Sequence, residues 1–458
     1  VSYADFVTRK LVATQPVGFD APLDQYDLFP HQVDLTRWAL KRGRAAIFAD
    51  TGLGKSRMQI AWADRVVSHT GGRVLILAPL AVAEQTREEA ASIGVTINHV
   101  REAEQVTDGI SITNYDRLHK FDSRQFSGVV LDESSIIKHH TAKTLQQLLD
   151  AFRLTPYRLC ATATPAPNDW TELGTHAEFL GIRSRSEMLS EFFVHDGGET
   201  QTWRLKGHAR RLFWQWVASW GALVRSPADL GHDASMYSLP PLRVEQITVD
   251  LPYEPTDGLF HDEAQTLMDR RRARRDSLEQ RVLAVAALVE QDIREPWVVW
   301  CDLNAEGDAL RAAIHGAVEI RGSDDTDEKE RRLNDFAHGK IRVLITKPSI
   351  AGFGLNWQHC ARVAFVGVTD SFEAYYQAVR RCWRFGQSRP VKVYVFAAET
   401  EGAVVANLNR KELDAMRMAE ALSAETLDAV RGSVIGAARE HNEYRPRRSI
   451  TIPEFLIA

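Results

Sequence analysis

Cysteine is scarce in this chain of 458 residues: only Cys160, Cys301, Cys360 and Cys382 occur, and no two form a CxxC pair. That spacing excludes a zinc ribbon and a disulfide scaffold, so each cysteine reads as a small buried hydrophobe. Long hydrophobic runs are missing as well. The longest strongly apolar stretch, Val282–Val289, falls far short of the ~20 residues a spanning helix needs, and no membrane partner is expected. The opening segment Val1–Lys10 mixes acidic, basic and polar residues without a signal-peptide core, so the expected location is cytoplasmic. Charge of one sign is not in excess either, since 56 Lys and Arg against 61 Asp and Glu leave a net −5. Such a balance decides little about polyanion binding, which depends on where basic groups cluster. Low-complexity tracts and repeats of solenoid period are absent. Apolar residues at 44% and charged residues at 26% are ordinary for folded protein. At about 150 residues per domain the length suggests roughly three units.

What is present is a recurrence of short, β-rich apolar runs separated by segments of helical period. The first half has Ala45–Ala49, Val74–Ala78, Val129–Leu131 and Arg158–Ala161; the second has Trp297–Cys301, Val318–Ile320, Val343–Thr346, Val363–Val366 and Val391–Phe396. Near-continuous apolar strands are covered on both faces, the pattern of parallel sheets flanked by helices. The fold class expected is therefore α/β, with two parallel-sheet domains. Between them, residues 181–242 are rich in Trp and Arg and read as a mostly helical insertion that ends at the breaker Leu239-Pro240-Pro241-Leu242. The expected division is residues 1–180, the insertion and bridge 181–242, a second domain 243–400, and a helical C-terminal extension and tail 401–458.

One constellation carries chemistry. The strand Ala45–Ala49 runs directly into Asp50-Thr51-Gly52-Leu53-Gly54-Lys55-Ser56, and a helical segment follows. This is a phosphate-loop arrangement, with Ala49 in place of the usual first glycine. Gly52 and Gly54 let backbone N–H groups converge on phosphates, and the helix start adds its dipole. Lys55 offers a point charge and the Ser56 hydroxyl a magnesium ligand. A second apolar strand ends in Asp132-Glu133. At the end of a parallel strand both acids face the ligand crevice, Asp132 to hold magnesium through water and Glu133 to deprotonate the attacking water. Upstream, Gln32 in Phe29-Pro30-His31-Gln32 can make a two-point amide contact with adenine. Late in the chain Arg381 and Arg384 lie three apart with no local acidic partner. If helical they share one face and can neutralise charge on a γ-phosphate, as arginine fingers do; which of the two dominates stays open.

From Phe29 to Phe396 these residues resemble the superfamily 2 helicase-like ATPases of the SWI/SNF, or chromatin-remodeller, type, in the compact form of bacteria and phages. Asp50–Ser56 is similar to motif I, Asp132-Glu133-Ser134-Ser135 to the DEAH-type motif II, and Ala161-Thr162-Ala163-Thr164-Pro165 with Asn168 to motif III. Ala351–Asn356 is similar to motif V, and the run from Gln377 through Arg381 and Arg384 to Gln387 to motif VI, the most diagnostic of the set. Leu223-Val224-Arg225, followed by Leu239-Pro240, resembles the bridge into the second domain. The resemblance implies two RecA-like domains that close on ATP and Mg2+. It implies a nucleotide site of Gln32, Thr51, Gly52, Leu53, Gly54, Lys55, Ser56, Gly354 and Gln377, with Thr162 and Thr164 relaying its state. Leu75–Pro79 and Ser111–Tyr115 resemble segments that touch the nucleic-acid backbone, which makes Pro79, Thr113 and Asn114 candidate contacts. Departures from the pattern are Ser134-Ser135, where Ala/Gly-His is usual, and Arg380 and Trp383, where Asp and His are common.

Arg204, Lys206, Arg210 and Arg211 interleave with Trp203, Trp214, Trp216 and Trp220 and could neutralise phosphates. Most of the tryptophans read as a small core, and a further basic run, Arg270–Arg275, as a backbone contact or a charged linker. The function expected is ATP-driven translocation on DNA, duplex favoured, with single strands or RNA as other tracks. Alternatives are a strand-separating DNA or RNA helicase, a non-hydrolysing ATP-switched scaffold, and a single-domain phosphate-loop kinase. Protein partners are not indicated.

Overall fold

A computed structural model describes residues 16–79, 82–138, 143–166, 169–195, 203–249, 277–351, 355–367, 372–398, 427–428 and 430–435. Arg270–Arg275, Asn168 and Gly354 lie outside the described residues, as does most of 401–458.

The first unit is a parallel sheet of seven strands. Along the chain these are β1 (Arg44–Ala49), β2 (Arg73–Ala78), β3 (Ile97–His99), β4 (Ile110–Asn114), β5 (Phe126–Asp132) and β6 (Tyr157–Thr162), and, after a short antiparallel pair β7 (Phe193–His195) and β8 (Trp203–Leu205), β9 (Gly221–Val224). They lie side by side in the order β3-β4-β2-β5-β6-β1-β9. The second unit has six parallel strands: β10 (Leu242–Val249), β11 (Trp297–Trp300), β12 (Val318–Glu319), β13 (Val343–Thr346), β14 (Arg362–Phe365) and β15 (Val391–Ala398). Their order is β10-β15-β14-β11-β13-β12. Each of the nine apolar runs read from the sequence is a strand of one of these sheets. Residues such as Ile47, Leu75, Val130, Val298 and Ile345 are buried because helices cover both faces.

Sheet order decides what meets at the site. β1, β6 and β5 are neighbours, so the loops that follow their carboxyl ends open side by side. In parallel α/β sheets that edge is where ligands sit.

The stretch 181–242, expected as a mostly helical insertion, does more than that. It contains the helices Arg185–Phe192 and Arg210–Ala218, but β9 within it pairs with β1 and closes the first sheet. Phe213, Trp214, Trp216 and Trp220 pack into one face of the first unit's core. Large apolar rings spaced along a helix cover a sheet face, and β9 follows them within the same Trp- and Arg-rich stretch. At the far end of the chain, Val430 is buried in the first unit's other core, and Ser433 accepts a hydrogen bond from Trp38 Nε1 at 2.9 Å. Among the described residues no helix is long and apolar enough to cross a membrane.

Candidate active site at the cleft between the two sheets

The loop after β1 turns through Gly52 at φ +93° and Gly54 at φ +79°, conformations that side chains with a Cβ rarely adopt. Gly54 then caps the helix Lys55–Thr70 with no side-chain hydrogen bond, and no acid stands in its first turn. The first N–H groups of a 16-residue helix are thus left to an anion. Lys55 folds back over the loop, its Nζ 3.0 Å from Ala49 O and 3.4 Å from Asp50 O. Burial pulls the Lys55 pKa down, while Glu133, Asp50 and Asp132 push it up and Arg384 across the cleft pulls it down. Ser56 lies beside Glu89, whose carboxyl burial holds above the usual range. The Thr51 N–H donates to Asp50 Oδ1 at 2.6 Å.

Gln32, expected to read adenine, is buried and occupied. Its Oε1 accepts from Phe29 N at 3.0 Å and its Nε2 donates to Leu53 O at 3.1 Å. A Cβ on Gly54 would come within 2.1 Å of that Nε2, so the glutamine braces the phosphate loop at a place only glycine permits. Both ends of its amide serve the protein, because the turn before the helix Pro30–Arg42 packs straight onto the loop.

The acid pair ends β5. Asp132 Oδ1 accepts from Gln59 Nε2 at 2.7 Å, and its carbonyl accepts from the Tyr115 hydroxyl at 2.6 Å. Burial, followed by the charge of Glu133, pushes the Asp132 carboxyl up to about 6. Glu133 is the one non-glycine residue with positive φ among the described residues, at +50°. A left-handed backbone at such a residue costs roughly 1 kcal/mol and persists only where neighbours enforce it. Here the enforcers are Gln59 and Tyr115 before it and Ser134 after it, whose Oγ lies 3.1 Å from His176 Nε2. His176 is fully buried, and desolvation lowers its pKa to about 4, so the ring is neutral. After β6, Thr164 N donates to Thr162 Oγ1 at 3.2 Å.

The second unit contributes from the opposite side. Gln377 Nε2 reaches Thr164 Oγ1 at 3.5 Å. Arg381 donates through Nε to Gln377 O and through Nη1 to Leu355 O, both at 3.2 Å, while its Nη2 stands 3.8 Å from Glu133 Oε1. Arg384 Nη1 also donates to Leu355 O at 3.2 Å, and its buried Nε meets no acceptor. Burial and the adjacent Arg381 lower Arg384 to about 10. Contact is close enough that a Cβ on Gly52 would come within 2.8 Å of Phe385 Cβ.

Arg381 and Arg384 thus face Lys55 and two carboxylates across one cleft, next to an uncapped helix start and a buried guanidinium nitrogen with no acceptor. That donor set suits a polyphosphate. Asp132, with its raised pKa, suits a divalent cation that would draw it back to the ionised form. The residues fit magnesium and a nucleoside triphosphate.

Other expected contacts sit elsewhere. Thr113 is fully buried within β4 and cannot touch a nucleic-acid backbone; the strand turns it into the core. Asn114 accepts from Arg117 N at 3.2 Å, capping the turn Tyr115–Lys120. Lys206 Nζ holds the carbonyls of Ser190 and Glu191, each at 2.9 Å, a brace between β8 and the end of the preceding helix. Pro79 follows β2 and is half-buried, while Arg204, Arg210 and Arg211 are exposed and belong to no part of the cleft described above. Conversely, Gln59, Tyr115 and His176 escaped the sequence reading. Gln59 was within reach: four residues after Lys55 on one helix, it shares that residue's face.

Two family profiles match the chain: an SNF2-related domain over residues 31–196 and a helicase conserved C-terminal domain over 282–386. Among curated proteins, the bifunctional helicase and thymine dioxygenase JBP2 of Leishmania braziliensis is 24% identical over 194 residues, 41% of this chain and 16% of that protein. JBP2 of Leishmania infantum is 30% identical over 87 residues, 19% of this chain and 8% of that protein. The chain therefore spans a small part of these relatives' length. Among solved structures, the Sulfolobus solfataricus SWI2/SNF2 ATPase core in complex with dsDNA aligns over 92% of this chain and 99% of its own, with a TM-score of 0.40 and 17% identity.

Proposed function

From its membership of the SNF2-type helicase-like ATPases, which the paired SNF2-related and helicase C-terminal domains establish, we propose that this chain hydrolyses ATP in the inter-sheet cleft and uses the cycle to translocate along duplex DNA. One observation carries the reading: groups from the ends of β1 and β5 and from the 381–384 turn of the other unit face the same small volume. In this reading Gly52–Ser56 cradle the phosphates and Lys55 neutralises their charge. Glu133 takes a proton from the attacking water. Asp132 and Ser56 would hold Mg2+, which supplies Lewis-acid neutralisation of the phosphate oxygens. Arg381 and Arg384 oppose charge growing on the terminal phosphate, a contribution worth about 10³ to 10⁵ in rate for arginine fingers. Because the two sets of groups sit on separate sheets, bound triphosphate favours closure and its hydrolysis releases it. Thr164, bonded to Gln377 across the cleft, is placed to carry that change between the units.

DNA as the track is supported by the remodeller-like motif VI and bridge, and exposed Arg204, Arg210 and Arg211 remain candidates for phosphate contact. The test is ATP hydrolysis with no nucleic acid, single-stranded DNA, duplex DNA and RNA, beside triplex displacement and fork unwinding. Duplex stimulation with triplex displacement is expected. Efficient fork unwinding without triplex displacement would establish the helicase alternative instead.

A further inference from the structure

Arg380 stands where the family resemblance puts an aspartate, directly before Arg381. Its Nη2 donates to both carboxylate oxygens of Asp50, at 3.1 and 3.3 Å, and its Nε to the Tyr376 hydroxyl at 3.0 Å. That hydroxyl donates in turn to Asp50 Oδ1 at 3.4 Å, so three side chains close a ring of hydrogen bonds. The guanidinium also lies 4.8 Å from the centroid of the Trp383 ring and 5.2 Å from that of Tyr376. Trp383 is itself fixed, its Nε1 donating to Pro240 O at 2.7 Å. Arg380 is 8% exposed. Asp50 opens the phosphate loop of the first unit, whereas Arg380, Tyr376 and Trp383 belong to the second. The ring crosses the cleft.

We infer that Arg380 is a positioning residue: its ion pair with Asp50 fastens the motif VI turn to the phosphate loop and so fixes the reach of Arg381 and Arg384. The kinetic part of this inference rests on the proposed ATPase reading; the contact itself does not. Within their own unit Arg381 and Arg384 are held by neutral carbonyls, those of Gln377 and Leu355. Arg381 approaches Glu133 only at 3.8 Å, beyond hydrogen-bond distance. The close charge pair between this turn and the loop is the one made by Arg380. Lysine could not replace it fully, because one guanidinium here bonds a carboxylate and a phenol at once while lying over two aromatic rings. An aspartate at 380 would set two carboxylates face to face. The charge at 380 is thus matched to the acid at 50, and the two positions work as a pair.

The test uses the full chain without nucleotide, labelled at Gln147→Cys in the first unit and Ala312→Cys in the second. Both positions are exposed, and the four native cysteines are buried. Single-molecule FRET between the dyes reads the closed fraction. Arg380→Asp and the milder Asp50→Asn should each lower the closed-to-open ratio by about tenfold, equivalent to ~1.4 kcal/mol. Arg380→Lys should recover part of it, and the swap Arg380→Asp with Asp50→Lys should restore more of it than either single change leaves. In turnover, Arg380→Asp should reduce kcat by about tenfold with the KM for ATP changed much less, since the phosphate loop is intact. Unchanged FRET in both Arg380→Asp and Asp50→Asn, or losses that add independently without rescue by the swap, would overturn the inference. The expected FRET changes in the variants, with no ATP hydrolysis by the wild-type chain, would leave the latch standing and remove the ATPase reading. Hydrolysis with unmoved FRET would do the reverse.

Discussion

The two sides of the cleft are built differently. On the first unit, each reactive group is braced by its own unit: Gln59 and Tyr115 hold Asp132, His176 holds Ser134, and Gln32 holds Leu53. On the second, Arg381 and Arg384 rest on neutral carbonyls of their own unit, those of Gln377 and Leu355, and the charged partners of the turn, Asp50 and Glu133, stand opposite. One half is preorganised by its own unit, and the other takes its charged partners from across the cleft. A site divided this way has a natural switch, since separating the units leaves the loop and acid pair intact while removing the charged partners of the motif VI turn.

The comparison breaks most sharply at the arginines themselves. Replacing both Arg381 and Arg384 with alanine should lower DNA-stimulated kcat by about 10³-fold or more and leave DNA affinity nearly unchanged, as read by turnover beside an equilibrium binding assay. Loss of binding on the same scale as loss of rate would mean that these groups serve the nucleic acid. Glu133→Gln, on the preorganised side, should retain ATP while hydrolysing it poorly, and normal turnover would remove Glu133 as the base.

Smaller effects sharpen the contrast. Gln59→Leu removes a hydrogen bond to a buried carboxylate, a loss of about 1.5 kcal/mol or roughly tenfold in kcat. The closed fraction measured by FRET should not move, because the brace is internal to one unit. At the outer rim, Arg101 pairs with Asp327 at 2.8 Å and with Glu330 at 3.3 Å on the other unit. The exposed Asp327 pair is worth ~0–1 kcal/mol and is screened by salt, and the half-buried Glu330 pair adds only at its longer distance. Arg101→Ala should therefore change the closed fraction by less than about fivefold, with the difference fading as ionic strength rises.

Acid stability offers a separate probe of the first unit. His176 has a folded pKa of about 4, below its ordinary value of 6.5. Between those values the unfolded chain binds more protons than the folded one, so stability rises with pH there. The contribution is complete above about pH 6.5 and is lost as pH falls toward 4, with a slope approaching ~1.4 kcal/mol per pH unit. His176→Gln should flatten this part of a denaturation midpoint-against-pH curve, and an unchanged slope would assign the acid lability elsewhere.

What could be read without the structure follows the same division. The phosphate loop and Asp132-Glu133 are local in sequence, and the apolar strands that present them are legible because both their faces are buried. Motif VI was legible as a pattern, but its surroundings were not. Arg380 reads in sequence as a departure from type, and its reason lies in Asp50, 330 positions away in sequence and opposite it in the fold. Gln32 and Thr113 carried the right letters in the right order, yet burial gave one to the loop's backbone and the other to the sheet core. β9 takes its place from pairing with β1, while the tryptophans before it, read as core, join the core of the first unit rather than a separate one.

The most direct examination of the divided site is a structure of the full chain with Mg2+ and a non-hydrolysable ATP analogue. The account predicts that Lys55 Nζ and at least one of the Arg381 and Arg384 guanidiniums lie within hydrogen-bond distance of the same terminal phosphate, with Glu133 facing the water behind it. A phosphate held by Lys55 alone, with both guanidiniums still turned to Leu355 O and away from it, would contradict the account.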